Sequence, residues 1–85
     1  NLKYLIVKDN LLEDMSIPKD FDQKMSQLEV VNFSGNMFSQ FPYQLLNMPN
    51  LKELYLGSNK MSVLPRNYEM LQKLEILYLG GNNIL

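Results

Sequence analysis

Apolar residues recur along this chain in trios: Leu2, Leu5 and Val7, then Leu28, Val31 and Phe33, then Leu51, Leu54 and Leu56, then Leu74, Leu77 and Leu79. An asparagine follows each trio, at 10, 36, 59 and 82, and two residues beyond it comes another apolar residue: Leu12, Phe38, Met61 and Ile84. The spacings 36−10=26, 59−36=23 and 82−59=23 describe one unit written four times in register, and repetition at such a period decides the architecture. Within each unit the pairs Leu5 and Val7, Val31 and Phe33, Leu54 and Leu56, and Leu77 and Leu79 alternate with period two. That period predicts a short strand whose paired residues point into a core. Lys8-Asp9, Ser34-Gly35, Gly57-Ser58 and Gly80-Gly81 come next and predict turns that end the strands.

Ile17-Pro18, Phe41-Pro42 and Leu64-Pro65 open the return path of each unit, where the fixed φ of proline suits the start of a short helical turn. Leu45, Met48 and Leu51, and in the next unit Tyr68, Leu71 and Leu74, recur every third residue. This spacing predicts one apolar edge of a turn or 3₁₀ stretch laid against the core. The first return is longer than the others: Ile17 stands five positions beyond Leu12, whereas Phe41 stands three beyond Phe38. Glu13, Asp14, Asp20 and Asp22 make it acidic, with Lys19 and Lys24 beside them, so it reads either as a protruding contact or as a tolerated surface insertion.

The phrase L-x-x-L-x-L-x-x-N-x-L, met four times, resembles the leucine-rich-repeat family. The resemblance covers essentially the whole chain and implies an α/β solenoid, with parallel strands on a concave face and short helical turns or 3₁₀ segments on a convex one. The units are then residues 1–26, 27–49, 50–72 and a partial repeat 73–85, and the expectation is an uncapped fragment of a longer array whose end repeats lack covers. It further implies that Asn10, Asn36, Asn59 and Asn82 form a buried ladder, their amides satisfying backbone groups of the turns. Repeats of 23 residues opening their return on an apolar-Pro pair look like the family's intracellular members. The runs around Asn36, Asn59 and Asn82 are also similar to the group of leucine-rich repeat-containing protein fifty-eight, although the cysteine-rich tail of that group has no counterpart here.

Stacking the units turns the remaining strand positions into columns on the concave face. Tyr4, Val30, Glu53 and Ile76 make one column, and Ile6, Asn32, Tyr55 and Tyr78 make its neighbour. Lys8, Ser34, Gly57 and Gly80 make a third, whose small members leave room beside the tyrosines. The first two columns are the candidate partner-binding residues, with Tyr55 and Tyr78 as direct neighbours that either anchor a partner or stack on one another to protect the sheet. Four strands present roughly 300 Å² of sheet face, against about 800 Å² per partner in a standard interface.

Composition narrows the chemistry. The chain has no cysteine and no histidine, which removes thiolate chemistry, disulfides, the usual zinc ligands and the commonest general base. We expect no catalytic residue, cofactor or metal. A net charge of −1 from 8 basic and 9 acidic residues, spread along the chain, gives no footprint for nucleic acid or an anionic membrane, so the expected partner is a protein or peptide. The reading is a non-catalytic interaction scaffold. Its alternatives are the recognition or regulatory segment of a multidomain enzyme, such as a ubiquitin ligase or kinase, and a segment of a receptor ectodomain. Asn32-Phe33-Ser34 is an N-glycosylation sequon, but a glycan there would obstruct the concave face, so a cytoplasmic parent is expected.

Overall fold

In a computed structural model, residues 2–63 and 74–84 are described. Four three-residue strands, β1 (Tyr4–Ile6), β2 (Val30–Asn32), β3 (Glu53–Tyr55) and β4 (Ile76–Tyr78), form one parallel sheet in the order β1-β2-β3-β4. The register places Leu5, Val31, Leu54 and Leu77 side by side. Those four side chains face inward, Val31 and Leu54 fully buried and Leu5 and Leu77 packed against the core at the outer strands. The period of two read from the sequence is thus the pleat of the sheet.

The returns close the core from the other side. A 3₁₀ turn spans Asp14–Ser16, a single helical turn α1 spans Phe21–Lys24, and a longer 3₁₀ segment spans Tyr43–Asn47. Pro42 stands at the head of the last of these, and its carbonyl accepts from the Leu45 N–H at 3.0 Å. Leu45, Met48 and Leu51 are buried, as their spacing of three predicts, while Leu74 is half-buried. Tyr68 and Leu71, with Leu64-Pro65, lie outside the described residues. Phe33 stacks on Phe38 with ring centroids 5.4 Å apart, and Phe41, Leu28, Leu56 and Met61 fill the space around them. Burying such side chains contributes about 1.5–3 kcal/mol each, which is what holds three-residue strands in place.

The long first return does not stand free. The Asp14 carboxylate accepts from the Ser39 N–H at 3.0 Å, from the Gln40 N–H at 3.1 Å and from the Ser39 hydroxyl. Gln44 donates from Nε2 to the Ile17 carbonyl at 3.3 Å, and Asn50 from Nδ2 to the Ser26 carbonyl at 3.2 Å. The first return is therefore tied to the second, Asp14 of its lengthened stretch included. An open cleft of about 490 Å³ remains between them, lined in part by Lys19, Asp22, Phe41 and Tyr43.

Candidate functional site

Each strand ends in the same backbone device. Asp9, Gly35, Ser58 and Gly81 all adopt positive φ, at 59°, 69°, 54° and 78°, which turns the chain away from the sheet. Glycine takes this conformation freely, whereas Asp9 and Ser58 are strained there. The turned N–H groups of Asp9, Gly35 and Ser58 then donate to the carbonyls of Ser34, Gly57 and Gly80 in the following unit, each at 2.8 Å.

The asparagine after the turn joins neighbouring units through its side chain. Asn59 donates from Nδ2 to the carbonyls of Leu56 and Gly57 in its own unit, at 3.0 and 3.2 Å, and to that of Phe33 in the unit before, at 3.1 Å. Its Oδ1 accepts from the Phe38 N–H at 3.0 Å. Asn36 repeats the arrangement with Phe33, Ser34 and Val7 as acceptors and Leu12 as donor. Asn82 does so with Leu79 and Leu56 as acceptors and Met61 as donor. Asn36 and Asn59 are buried, but Asn82 is half-buried and Asn10 is exposed. The expectation of burial at all four positions is thus corrected at Asn82, which is half-buried, and at Asn10, whose Nδ2 donates only within its own turn, to Val7 and Lys8. No preceding coil covers it among the described residues.

With these groups packed beneath, the other face of the sheet is open. Tyr4 stands beside Val30, Glu53 and Ile76, and Ile6 beside Asn32, Tyr55 and Tyr78. The register thus brings the eight candidate residues together in two rows across the four strands. Tyr4, Ile6, Ile76 and Tyr78 are 62%, 55%, 43% and 54% exposed, whereas Val30, Asn32, Glu53 and Tyr55 in the two middle strands are half-buried. The Asn32 Oδ1 accepts from the Ser34 N–H at 3.0 Å, which orients that side chain locally.

The two adjacent tyrosines point in different directions and do not stack. Tyr55 donates its hydroxyl proton to Glu53 Oε1 at 2.7 Å. That hydrogen bond to the carboxylate, with desolvation and the carboxylate's charge adding to it, raises the Tyr55 phenol above its ordinary range. Tyr78 instead lies over the backbone of two glycines: a Cβ on Gly57 would come 2.5 Å from its Cε2, and one on Gly80 would come 2.6 Å from its hydroxyl oxygen. The Cδ2, Cε2 and hydroxyl side of Tyr78 lies against the glycines, while the side chain remains 54% exposed. Spacing alone places these rings as neighbours; only the hydroxyl's choice of Glu53 and the bare glycine backbone separate them.

The rim where the strands begin carries its own charges. Lys3, Glu29, Lys52 and Glu75 precede the four strands in turn, alternating in sign. Glu29 pairs with Lys3 at 3.9 Å and with Lys52 at 3.8 Å. Sequence reading passed over this row because its alternation appears only when the units are stacked. Among the described residues, no group of His, Cys, Asp or Glu side chains is arranged to hold a metal ion, and no helix is long and apolar enough to cross a membrane.

A parallel sheet built one strand per unit, with Asn36, Asn59 and Asn82 each joining a turn to the unit before, defines a repeat solenoid. The chain matches the family model described as leucine rich repeat over residues 1–61 and 42–84, and it belongs to the leucine-rich-repeat family. It is 36% identical to osteomodulin of Bos taurus over 87 residues, covering 99% of this chain and 19% of that protein. It is 47% identical to leucine-rich repeat-containing protein 58 of Xenopus laevis over 51 residues, 60% of this chain and 14% of the relative. It is also 40% identical to adenylate cyclase of Schizosaccharomyces pombe over 62 residues, 72% of this chain and 4% of that enzyme. The chain thus spans about a fifth or less of the length of these relatives.

Proposed function

We propose that this array is a non-catalytic protein-interaction module, and that its concave sheet face docks a protein or peptide through Tyr4, Ile6, Val30, Asn32, Glu53, Tyr55, Ile76 and Tyr78. The observation that carries the reading is the exposure of four large apolar or aromatic side chains, on the two outer strands, on the face of the sheet turned away from the core. The inner face needs none of them. Aromatic residues seated on a rigid sheet lose little freedom on binding, which is why such residues dominate interaction hot spots. Replacing both Tyr55 and Tyr78 with alanine should weaken a partner isolated with the intact protein by about 2 kcal/mol or more. The same change should cost far less stability than Leu54→Ala, for which about 2–5 kcal/mol is usual. Calorimetric titration and urea unfolding read the two quantities separately, and undiminished affinity in the double variant would move binding off this face.

The match to a segment of an adenylate cyclase supports a second reading, in which the same surface is the regulatory or recognition part of a larger enzyme. A catalytic domain in the same polypeptide would decide for it. We further propose a cytoplasmic location, because a glycan on Asn32 would stand on the face assigned to the partner. Finding Asn32 glycosylated by mass spectrometry of the native protein would overturn both the location and the docking face.

A further inference from the structure

The concave face holds one charged side chain in its two central columns, Glu53. Val30 and Ile76 stand on either side of it across the sheet, so neither strand neighbour can neutralise it. Lys52, the residue before it in the chain, turns its ammonium to Glu29 instead. Among the described residues, the ion pairs are those of Glu29 with Lys3 and Lys52 and of Asp20 with Lys24, and none includes Glu53. The Tyr55 hydroxyl fixes Glu53 Oε1, and Oε2 has no hydrogen-bond partner among the described residues.

We infer that a partner segment places one basic side chain, arginine or lysine, between the Glu53 carboxylate and the exposed part of the Tyr78 ring. The inference rests on the concave face being the docking face. Glu53 and Tyr78 sit on adjacent strands two residues apart in register, which from strand spacing and rise separates their backbones by about 8 Å. A guanidinium or ammonium group can then reach both. It lies within about 6 Å of a ring it stacks on and pairs with a carboxylate at hydrogen-bond distance. Gly57 and Gly80 lie against the Cδ2, Cε2 and hydroxyl side of the ring and hold it in place, and the rest of the ring is open. Tyr4 and Ile6 at one side and Ile76 at the other leave apolar ground for the neighbouring side chains of an extended segment. A phosphate backbone or an anionic lipid surface would meet the Glu53 charge as a repulsion.

The test is a library of nine-residue peptides displayed on phage and panned against the intact protein, with the Glu53→Gln protein panned in parallel. Glutamine can still accept from the Tyr55 hydroxyl, so the variant keeps the local fold while losing the charge. Peptides selected by the native protein should share arginine or lysine at one fixed position. Changing that residue to glutamine should lower affinity about tenfold, Glu53→Gln should do the same, and the two together should lose little more than either alone, as interacting partners do. The loss should shrink between about 50 and about 500 mM NaCl. Peptides that bind Glu53→Gln equally well yet are lost on Tyr78→Ala would retain the concave face and overturn the basic anchor. Peptides indifferent to both changes would overturn the face as well. A library that yields no enriched peptide, or only peptides without a shared basic residue, also counts against the anchor.

Discussion

Asn59 uses its whole carboxamide on backbone groups: three carbonyls accept from Nδ2 and the Phe38 N–H donates to Oδ1. Truncating it to alanine leaves the Phe38 N–H buried without its partner and takes one of the donors from each carbonyl, which keep Asn36, Gly35 and Asn82, so Asn59→Ala should destabilise the protein by about 1–3 kcal/mol in urea unfolding. Asn82→Ala should cost less, because that residue is half-buried and water can replace part of what is lost. Asn10→Ala should stay within about 0.5 kcal/mol. At Asp14, burial opposes the charge, but the hydrogen bonds from the Ser39 hydroxyl, the Gln40 N–H and the Ser39 N–H outweigh it and hold the carboxyl below its ordinary 3.8. A folded pKa below the unfolded one means that the stabilising contribution is complete above the unfolded value and is lost as pH falls through the folded value. Asp14→Asn should therefore lower the melting temperature at neutral pH, and its gap to the native protein should close as the pH is taken below 3.8.

At the scale of elements, the four strands, their inward pairs and the apolar edge of Leu45, Met48 and Leu51 along the second return were legible because burial imposes a period on the residues it touches. The turns were legible as turns but not in conformation. Gly35 and Gly81 hint at a left-handed residue, whereas Asp9 and Ser58 hide the same geometry behind side chains that rarely take it. Ser58→Gly should relieve that strain, partly offset by the greater freedom of glycine in the unfolded chain, for a net gain of up to about 1 kcal/mol. Thermal unfolding would measure it. The docking of the first return onto Ser39 and Gln40 was also hidden, because a run of acidic residues does not reveal which carboxylate will find backbone donors 25 residues away. The directions of Tyr55 and Tyr78 depend on neighbours in other units, which no single unit specifies.

Across the whole molecule, the alternating row Lys3, Glu29, Lys52 and Glu75 keeps the rim of the sheet nearly neutral. Glu29→Lys would set three cations side by side, and each exposed pair is worth about 0.2–1 kcal/mol, so the variant should melt lower, and more so in dilute buffer than in about 500 mM NaCl. The asparagine bonds have a direction that bears on how the array opens. The N–H groups of Leu12, Phe38 and Met61 are each closed by an asparagine of the unit that follows: Asn36, Asn59 and Asn82. Protection of an amide against deuterium reports the opening of whatever covers it. Exchange at Leu12 therefore reads the integrity of the second coil, exchange at Phe38 that of the third, and exchange at Met61 that of the fourth. Three amides in one deuterium-exchange spectrum thus follow the unzipping of the array coil by coil, each reporting on the coil ahead of its own.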